Sequence, residues 1–270
     1  KANKTVSFSS TIPALPIVGG TYTVVANVTG NSQTATFSIG SGGCTISGAV
    51  VTFTGAGNCR IDANSASTSQ YNAAPLVSQT VVVGQRNQNL TFNAATLAIT
   101  TTAFGDLAFN AVATSSVPTL SPSFAAGSNT TNNACLVSSA GVVTVVAVGR
   151  CEIVASQAGD ADTTAASPIS TTIDVIADYA NAPTIVSVSA SHESITAAFI
   201  APSYTGGASV SGYQMVAVYS GGQIANTGCA VVAGSSQSCT VTGLTNGTPY
   251  TIKVAAINSR GRSEEHTSEL

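Results

Sequence analysis

The sequence predicts an all-β chain of tandem two-sheet sandwiches, and three observations predict it. Short runs of β-branched and aromatic residues alternate with polar ones at period two, which sends every second side chain to one buried face. Clusters of Gly, Asn, Ser and Pro separate these runs, as strand-connecting turns require. The pattern of the first part of the chain also returns in the next, so one unit is built twice. Hydrophobic residues make up 44% of the 270 and charged residues only 7%, against about a quarter charged in ordinary domains. That much apolar surface argues against disorder. The longest apolar run, residues 142–148 (VVTVVAV), is far shorter than the roughly 20 residues of a membrane-spanning helix and fits a buried strand.

The repeat can be followed residue by residue. Val6-Ser7-Phe8 answers to Leu90-Thr91-Phe92, residues 21–29 (TYTVVANVT) to 106–115 (DLAFNAVATS), and Thr36-Phe37-Ser38 to Pro122-Ser123-Phe124. Cys44 answers to Cys135 (135 − 44 = 91), Cys59 to Cys151 (151 − 59 = 92) and Val81 to Ile173 (173 − 81 = 92). Lys1-Ala2-Asn3-Lys4 leads into the first copy as Gln85-Arg86-Asn87-Gln88 leads into the second. Lys1 thus stands where a linker from a preceding module would arrive, and the array is expected to continue upstream. Residues 178–183 (DYANAP) lead into a third module. The expected domains are 1–84, 85–178 and 179–261, with 262–270 as a tail. Each is about the size of one sandwich.

In the third module, residues 184–189, 194–200 and 210–219 read as strands. Cys239-Thr240-Val241-Thr242 and residues 250–257 then read as two antiparallel strands around the turn-rich Gly243-Leu244-Thr245-Asn246-Gly247-Thr248-Pro249. Tyr250 falls just after that bend, where an immunoglobulin-like sandwich places the tyrosine whose hydroxyl ties the connection down. The string TVTGLTNGTPYT closely resembles the end of a bacterial fibronectin type III module. The resemblance implies a core containing Tyr213, Leu244 and Tyr250, with Phe199 where the family usually has a Trp, which this chain lacks. Residues 44–84, CTISGAVVTFTGAGNCRIDANSASTSQYNAAPLVSQTVVVG, resemble the immunoglobulin-like repeat of large bacterial surface proteins. The second copy resembles a diverged sister, with Asp162-Thr163 in place of the Tyr-Asn of the first. The implied fold is tandem immunoglobulin-like β-sandwiches, the last fibronectin type III-like and lacking its final strand.

Residues 262–270 (RSEEHTSEL) break with all that precedes them, since five of the nine are charged or histidine. The string resembles the translation of a common sequencing adapter, which would make this tail non-native and account for the missing strand.

Six cysteines allow fifteen pairings. They fall two to a module, as Cys44 and Cys59, Cys135 and Cys151, and Cys229 and Cys239. Pairing inside each module lets each fold alone, as a repeat array requires, and implies an oxidising compartment. Buried free thiols are the alternative. Zinc is a further one, but there is no Cys-x-x-Cys and His192 is the lone histidine before the tail, which falls short of a four-ligand set.

Chemistry-bearing residues are sparse. His192 sits between Ser191 and Glu193 at a turn, where neighbours cannot converge as a triad must. Asp160 and Asp162 offer two carboxylates to calcium in one loop, or simply a polar turn. Asn27, Asn89, Asn129 and Asn246 begin glycosylation sequons, which an Asn- and Thr-rich chain produces by chance. A ligand-binding module would need an aromatic platform, for which Tyr204, Tyr213 and Tyr219 are the candidates, Tyr213 being expected in the core. Net charge is −3, with no basic patch for nucleic acid. No catalytic residue, cofactor or metal is expected. The expected function is a non-catalytic spacer or stalk in a secreted or cell-surface bacterial protein, monomeric as a fragment, meeting a protein or carbohydrate ligand at the cell surface. The alternative is the non-catalytic accessory part of a secreted polysaccharide-degrading enzyme.

Overall fold

The structure, a computed structural model, describes residues 1–30, 33–232 and 237–269, with the backbone alone at 229–232, 266, 268 and 269. Packing divides the chain into two compact units. One holds Lys1–Thr91 with Ala113–Pro122 and Ser156–Ile169; the other holds Phe92–Val112, Ser123–Ala155 and everything from Ser170 onward. These units do not follow the expected borders at 84/85 and 178/179. Part of the reason is local: residues 85–88 are hydrogen-bonded into the loop 157–164, so both fall in the first unit.

The first copy contributes β1 (Val6–Phe8), β2 (Thr21–Thr23), β3 (Ala26–Val28), β4 (Thr36–Gly42), β5 (Cys44–Ser47), β6 (Val50–Phe53), β7 (Gly57–Ser65) and β8 (Ala74–Val83). They form sheets ordered β2-β6-β5 and β4-β7-β8, with β1 paired to β3. Alternation explains the layering. Tyr22, Cys44, Val51 and Phe53 of one sheet meet Cys59, Ile61, Val81 and Val83 of the other in one buried cluster, as facing sheets do when every second residue is apolar. The β5–β6 hairpin turns through Gly48, whose φ of +60° suits a residue without a Cβ.

The second copy contributes β9 (Leu90–Phe92), α1 (Ala94–Ala98), β10 (Thr101–Ala103), β11 (Phe109–Asn110), β12 (Ala113–Ser115), β13 (Ser123–Ala126), β14 (Cys135–Val137), β15 (Val142–Val145), β16 (Gly149–Ser156) and β17 (Ile169–Ile176). The sheets β11-β15-β14 and β10-β17-β16-β13 repeat the plan. The register is shared: Cys44 stands opposite Phe53, and Cys135 opposite Val145. The short helix is an addition to the expected all-β pattern. Asn93 caps it, its Oδ1 accepting the Thr96 N–H at 2.8 Å.

Two disulfides join the layers. Cys44 on β5 is bonded to Cys59 on β7, and Cys135 on β14 to Cys151 on β16, across 15 and 16 residues of sequence. Each runs from one sheet to the facing one. The third expected pairing falls on Cys229, whose side chain lies outside the described residues; Cys239 is buried.

The third module contributes β18 (Thr184–Ser191), β19 (Ser194–Ile200), β20 (Gly212–Tyr219), β21 (Ile224–Val232), β22 (Ser238–Thr242), β23 (Tyr250–Asn258), β24 (Gly261–Arg262) and β25 (His266–Glu269). One sheet is β18-β19-β22; the other is β21-β20-β23, with β24 and β25 on the outer edge of β23. Phe199, Tyr213, Leu244 and Tyr250 share one core. The Phe199 and Tyr213 rings lie 4.9 Å apart and tilted by 60°, a favoured aromatic contact.

Two expectations about this module change. The strands on either side of residues 243–249 do not pair with each other: β22 pairs with β19 and β23 with β20, so the connector crosses between sheets. Alternation reports that a face is buried but not which sheet it belongs to. The place of the final strand is also filled, because β25 runs antiparallel to β23 with Val254 opposite His266 and Thr251 opposite Glu269. A sheet edge is extended by main-chain groups, so a polar sequence can occupy it. Glu265, paired with Lys253 at 3.1 Å and with Arg262, fastens the approach.

A Cys44→Ala/Cys59→Ala variant should lose about 2–4 kcal/mol of stability, read as a lower urea midpoint in a melt of the full chain. A midpoint matching the parent's would show that this crosslink does not stabilise the first sandwich.

Candidate functional site

The residues that could carry chemistry are held by structure. His192 Nδ1 meets Asn246 Nδ2 at 3.0 Å, and Asn246 Oδ1 accepts the Glu193 N–H at 2.9 Å. The His192-Glu193 turn is thus tied to the loop before β23. Asp160 Oδ1 accepts the Asp162 N–H at 3.0 Å, closing its own turn, while Asp162 Oδ1 accepts the Ala56 N–H at 2.7 Å. The two acids point to different jobs. Among the described residues no group of three or more His, Cys, Asp and Glu could hold a metal ion. Of the sequon asparagines, Asn129 donates through Nδ2 to Glu152 Oε1 at 3.0 Å, and Asn246 is engaged as above. Asn27 and Asn89 are exposed.

What the chain builds instead is two joints. Arg86 sits in a parallel bridge with Thr163, its N–H donating to the Asp162 carbonyl at 3.0 Å and its carbonyl accepting the Thr164 N–H at 2.9 Å. Ala2 repeats this with Tyr71, through the Gln70 carbonyl at 2.9 Å and the Asn72 N–H at 2.9 Å. Thr163 therefore stands in the place of Tyr71, one position on from the alignment read off the sequence. Two residues later each lead-in buries a polar side chain. Lys4, 2% exposed, gives its Nζ to Gln33 Oε1 and Ser65 Oγ, both at 2.9 Å, and to the Ala66 carbonyl. Gln88, 5% exposed, gives its Nε2 to Gln157 Oε1 at 3.0 Å and the Thr164 carbonyl at 2.8 Å, and accepts the Ser115 hydroxyl. Buried polar groups are tolerated only with such partners. The lead-ins are thus bonded components of the sandwiches and not free linkers.

The second joint uses Tyr204. Its hydroxyl donates to the Phe104 carbonyl at 2.9 Å and lies 3.2 Å from Asp178 Oδ2, while its ring stacks on Phe104 at 6.2 Å. Burial, and then the Asp178 carboxylate, push this phenol above its usual range. Asn258 Nδ2 donates to the carbonyls of Asp178 and Thr205, both at 2.8 Å. Gly105, at φ +92°, leaves room for the hydroxyl: a Cβ there would stand 2.5 Å from it.

Of the three candidate platform tyrosines, Tyr204 is thus spent on a joint and Tyr213 is in the core. Tyr219 is exposed but leans on Tyr250 at 5.4 Å. Tyr250 performs the expected corner bond, its oxygen accepting the Thr245 N–H at 3.0 Å. That bond holds its phenol below the usual range. The exposed aromatic that sequence reasoning missed is Tyr179, which lines a cleft of about 540 Å³ with Asp178, Asn181, Tyr204, Arg262 and Glu264. Nothing in DYANAP separates a linker tyrosine from a surface one.

Two acids are buried with partners. Asp62 accepts Arg60 Nε at 2.8 Å, Arg60 Nη2 at 3.2 Å and the Ser78 hydroxyl at 2.6 Å. The Arg60 hydrogen bond, then that of Ser78, holds its carboxyl below the usual range. Glu152 accepts the Asn129 N–H at 2.8 Å and the Asn129 amide, with the same consequence.

Residues 181–269 match the Fibronectin type III domain family, and this stretch forms such a domain. No curated protein matches the sequence. Among solved structures, the chain is similar to titin domains A168–A170 (15% identity, 98% of each chain covered, TM-score 0.37). It is similar to a two-domain fibronectin type III segment of chicken tenascin (17% identity, 55% of this chain and 81% of that one, TM-score 0.35). It is also similar to the FN1–FN3 domains of chicken CNTN1 (13% identity, 98% and 97% covered, TM-score 0.32).

Two predictions follow from these bonds. A group whose folded pKa is depressed contributes stability above its unfolded pKa and loses it as pH falls through the folded value. The thermal midpoint should hold from neutral down to about pH 5 and fall below about pH 4. Asp62→Asn should be less stable than the parent at neutral pH and converge with it in acid; curves that stay parallel would contradict the assignment. Separately, Tyr204→Phe, which strips the hydroxyl from the Phe104 carbonyl, should cost about 1 kcal/mol in urea denaturation. An unchanged midpoint would mean that the joint does not need that bond.

Proposed function

We propose that this chain is a non-catalytic array of three modules, 1–84, 85–178 and 179–261, serving as a spacer or stalk in a secreted or cell-surface bacterial protein. The observation that carries this reading is where the reactive side chains go. His192 is used on Asn246, Asp162 on Ala56, Asp62 on Arg60 and Ser78, and four cysteines on crosslinks. A catalytic site needs a nucleophile, base or acid left free to meet a substrate, whereas a spacer needs its polar groups committed to its own shape. Disulfides of this kind persist outside the reducing cytosol, which supports the surface setting.

Small-angle scattering on the monodisperse chain tests the reading: an elongated particle, with a pair-distance curve tailing well past its maximum, is expected. A symmetric, compact curve would contradict the stalk role. Hydrolysis of a model ester, peptide or glycoside by the purified chain, lost on substitution of a named residue, would contradict the non-catalytic role.

A further inference from the structure

We propose that the cleft lined by residues 178–182, Tyr204, Arg262 and Glu264 binds a neutral oligosaccharide. Its volume of about 540 Å³ lies within the roughly 300–1,000 Å³ range of small-molecule sites. The chemistry of its walls narrows the ligand. Asp178, which already takes the Tyr179 N–H and the Tyr204 hydroxyl, and Glu264 have lone pairs to accept further hydrogen bonds; Arg262, already on Gln214 and Glu265, has further N–H groups to donate, and Asn181 does both. That inventory suits a ring carrying many hydroxyls, each both donor and acceptor. A phosphate or sulfate would meet two lining carboxylates, with Arg262 already paired to Glu265 and Arg260 engaged on the Tyr179 ring.

Tyr179 supplies the apolar wall. It is 48% exposed, and the Arg260 guanidinium stands 5.4 Å from its ring centroid, a cation–π contact that holds the side chain in place. An aromatic face carries partial negative charge, which the C–H groups on the flat side of a pyranose complement. The floor is already ordered: the Asp178 N–H donates to the Gly206 carbonyl, Asn258 holds the Asp178 carbonyl, and the Asn181 N–H donates to the Tyr204 carbonyl at 3.0 Å. A preformed site avoids the ordering cost of a mobile one. With these main-chain groups paired, an extended peptide would find little backbone to bond there. The binding role takes Arg262 and Glu264 as native residues, against the adapter reading of 262–270, and stands apart from the spacer role, so either can fail alone.

The test is an amide-shift titration of the full chain with a panel of neutral gluco-, manno- and galacto-oligosaccharides, with inorganic phosphate as a separate arm. At least one sugar should give saturable shifts centred on residues 178–182 and 204. Tyr179→Ala, which removes a half-exposed ring and leaves the core intact, should weaken that sugar by about tenfold or more, with the rest of the spectrum unchanged. Asn181→Ala should weaken it several-fold, which guards against a folding defect in the tyrosine variant. No saturable shift from any sugar, shifts centred elsewhere, shifts that survive both substitutions, or a response to phosphate alone would overturn the proposal.

Discussion

Each of the two repeats depends on one crosslink between facing sheets. The cores are made of Val, Ile, Ala and Cys with few rings, and a sandwich of this size buries a smaller fraction of the surface its unfolded chain exposes than a larger domain does. Cys44–Cys59 and Cys135–Cys151 tie an edge strand of one sheet to an interior strand of the other. A constraint at that position limits how far the layers can part in the unfolded chain. The third module has a larger aromatic contribution, with Phe199, Tyr213 and Tyr250 in one cluster, and a tyrosine corner that closes its crossing connection.

The layered fold was legible because alternation is a direct consequence of strand geometry. Val51 and Phe53, or Ile252 and Val254, are buried for the reason their spacing suggests. The repeat register was legible to within one residue, since Thr163 and not Asp162 takes the place of Tyr71. Pairing between strands was less so. The runs around residues 243–249 read as neighbours but lie in different sheets, because period two carries no information about the partner. The edge strand β25 was hidden for a related reason: backbone pairing along an edge does not need an apolar sequence, and His266–Glu269 has none to show.

The functional surface was almost wholly illegible. Tyr204 and Tyr179 are both tyrosines in polar, turn-rich stretches, yet the first stacks on Phe104 and bonds its carbonyl while the second stays half-exposed under Arg260. The difference is set by residues about 80 to 100 positions away, which no local pattern encodes. Lys4 would pass for a surface lysine in a polar lead-in, but three oxygens from distant segments draw it inside. Long-range partners decide these cases, and composition has no access to them.

Peptide mapping of the unreduced, alkylated chain by mass spectrometry reads the crosslinks themselves. One linked fragment joining Cys44 to Cys59 and another joining Cys135 to Cys151 are expected. Alkylated thiols at these four positions, or a fragment linking a cysteine of the first copy to one of the second, would contradict this pairing.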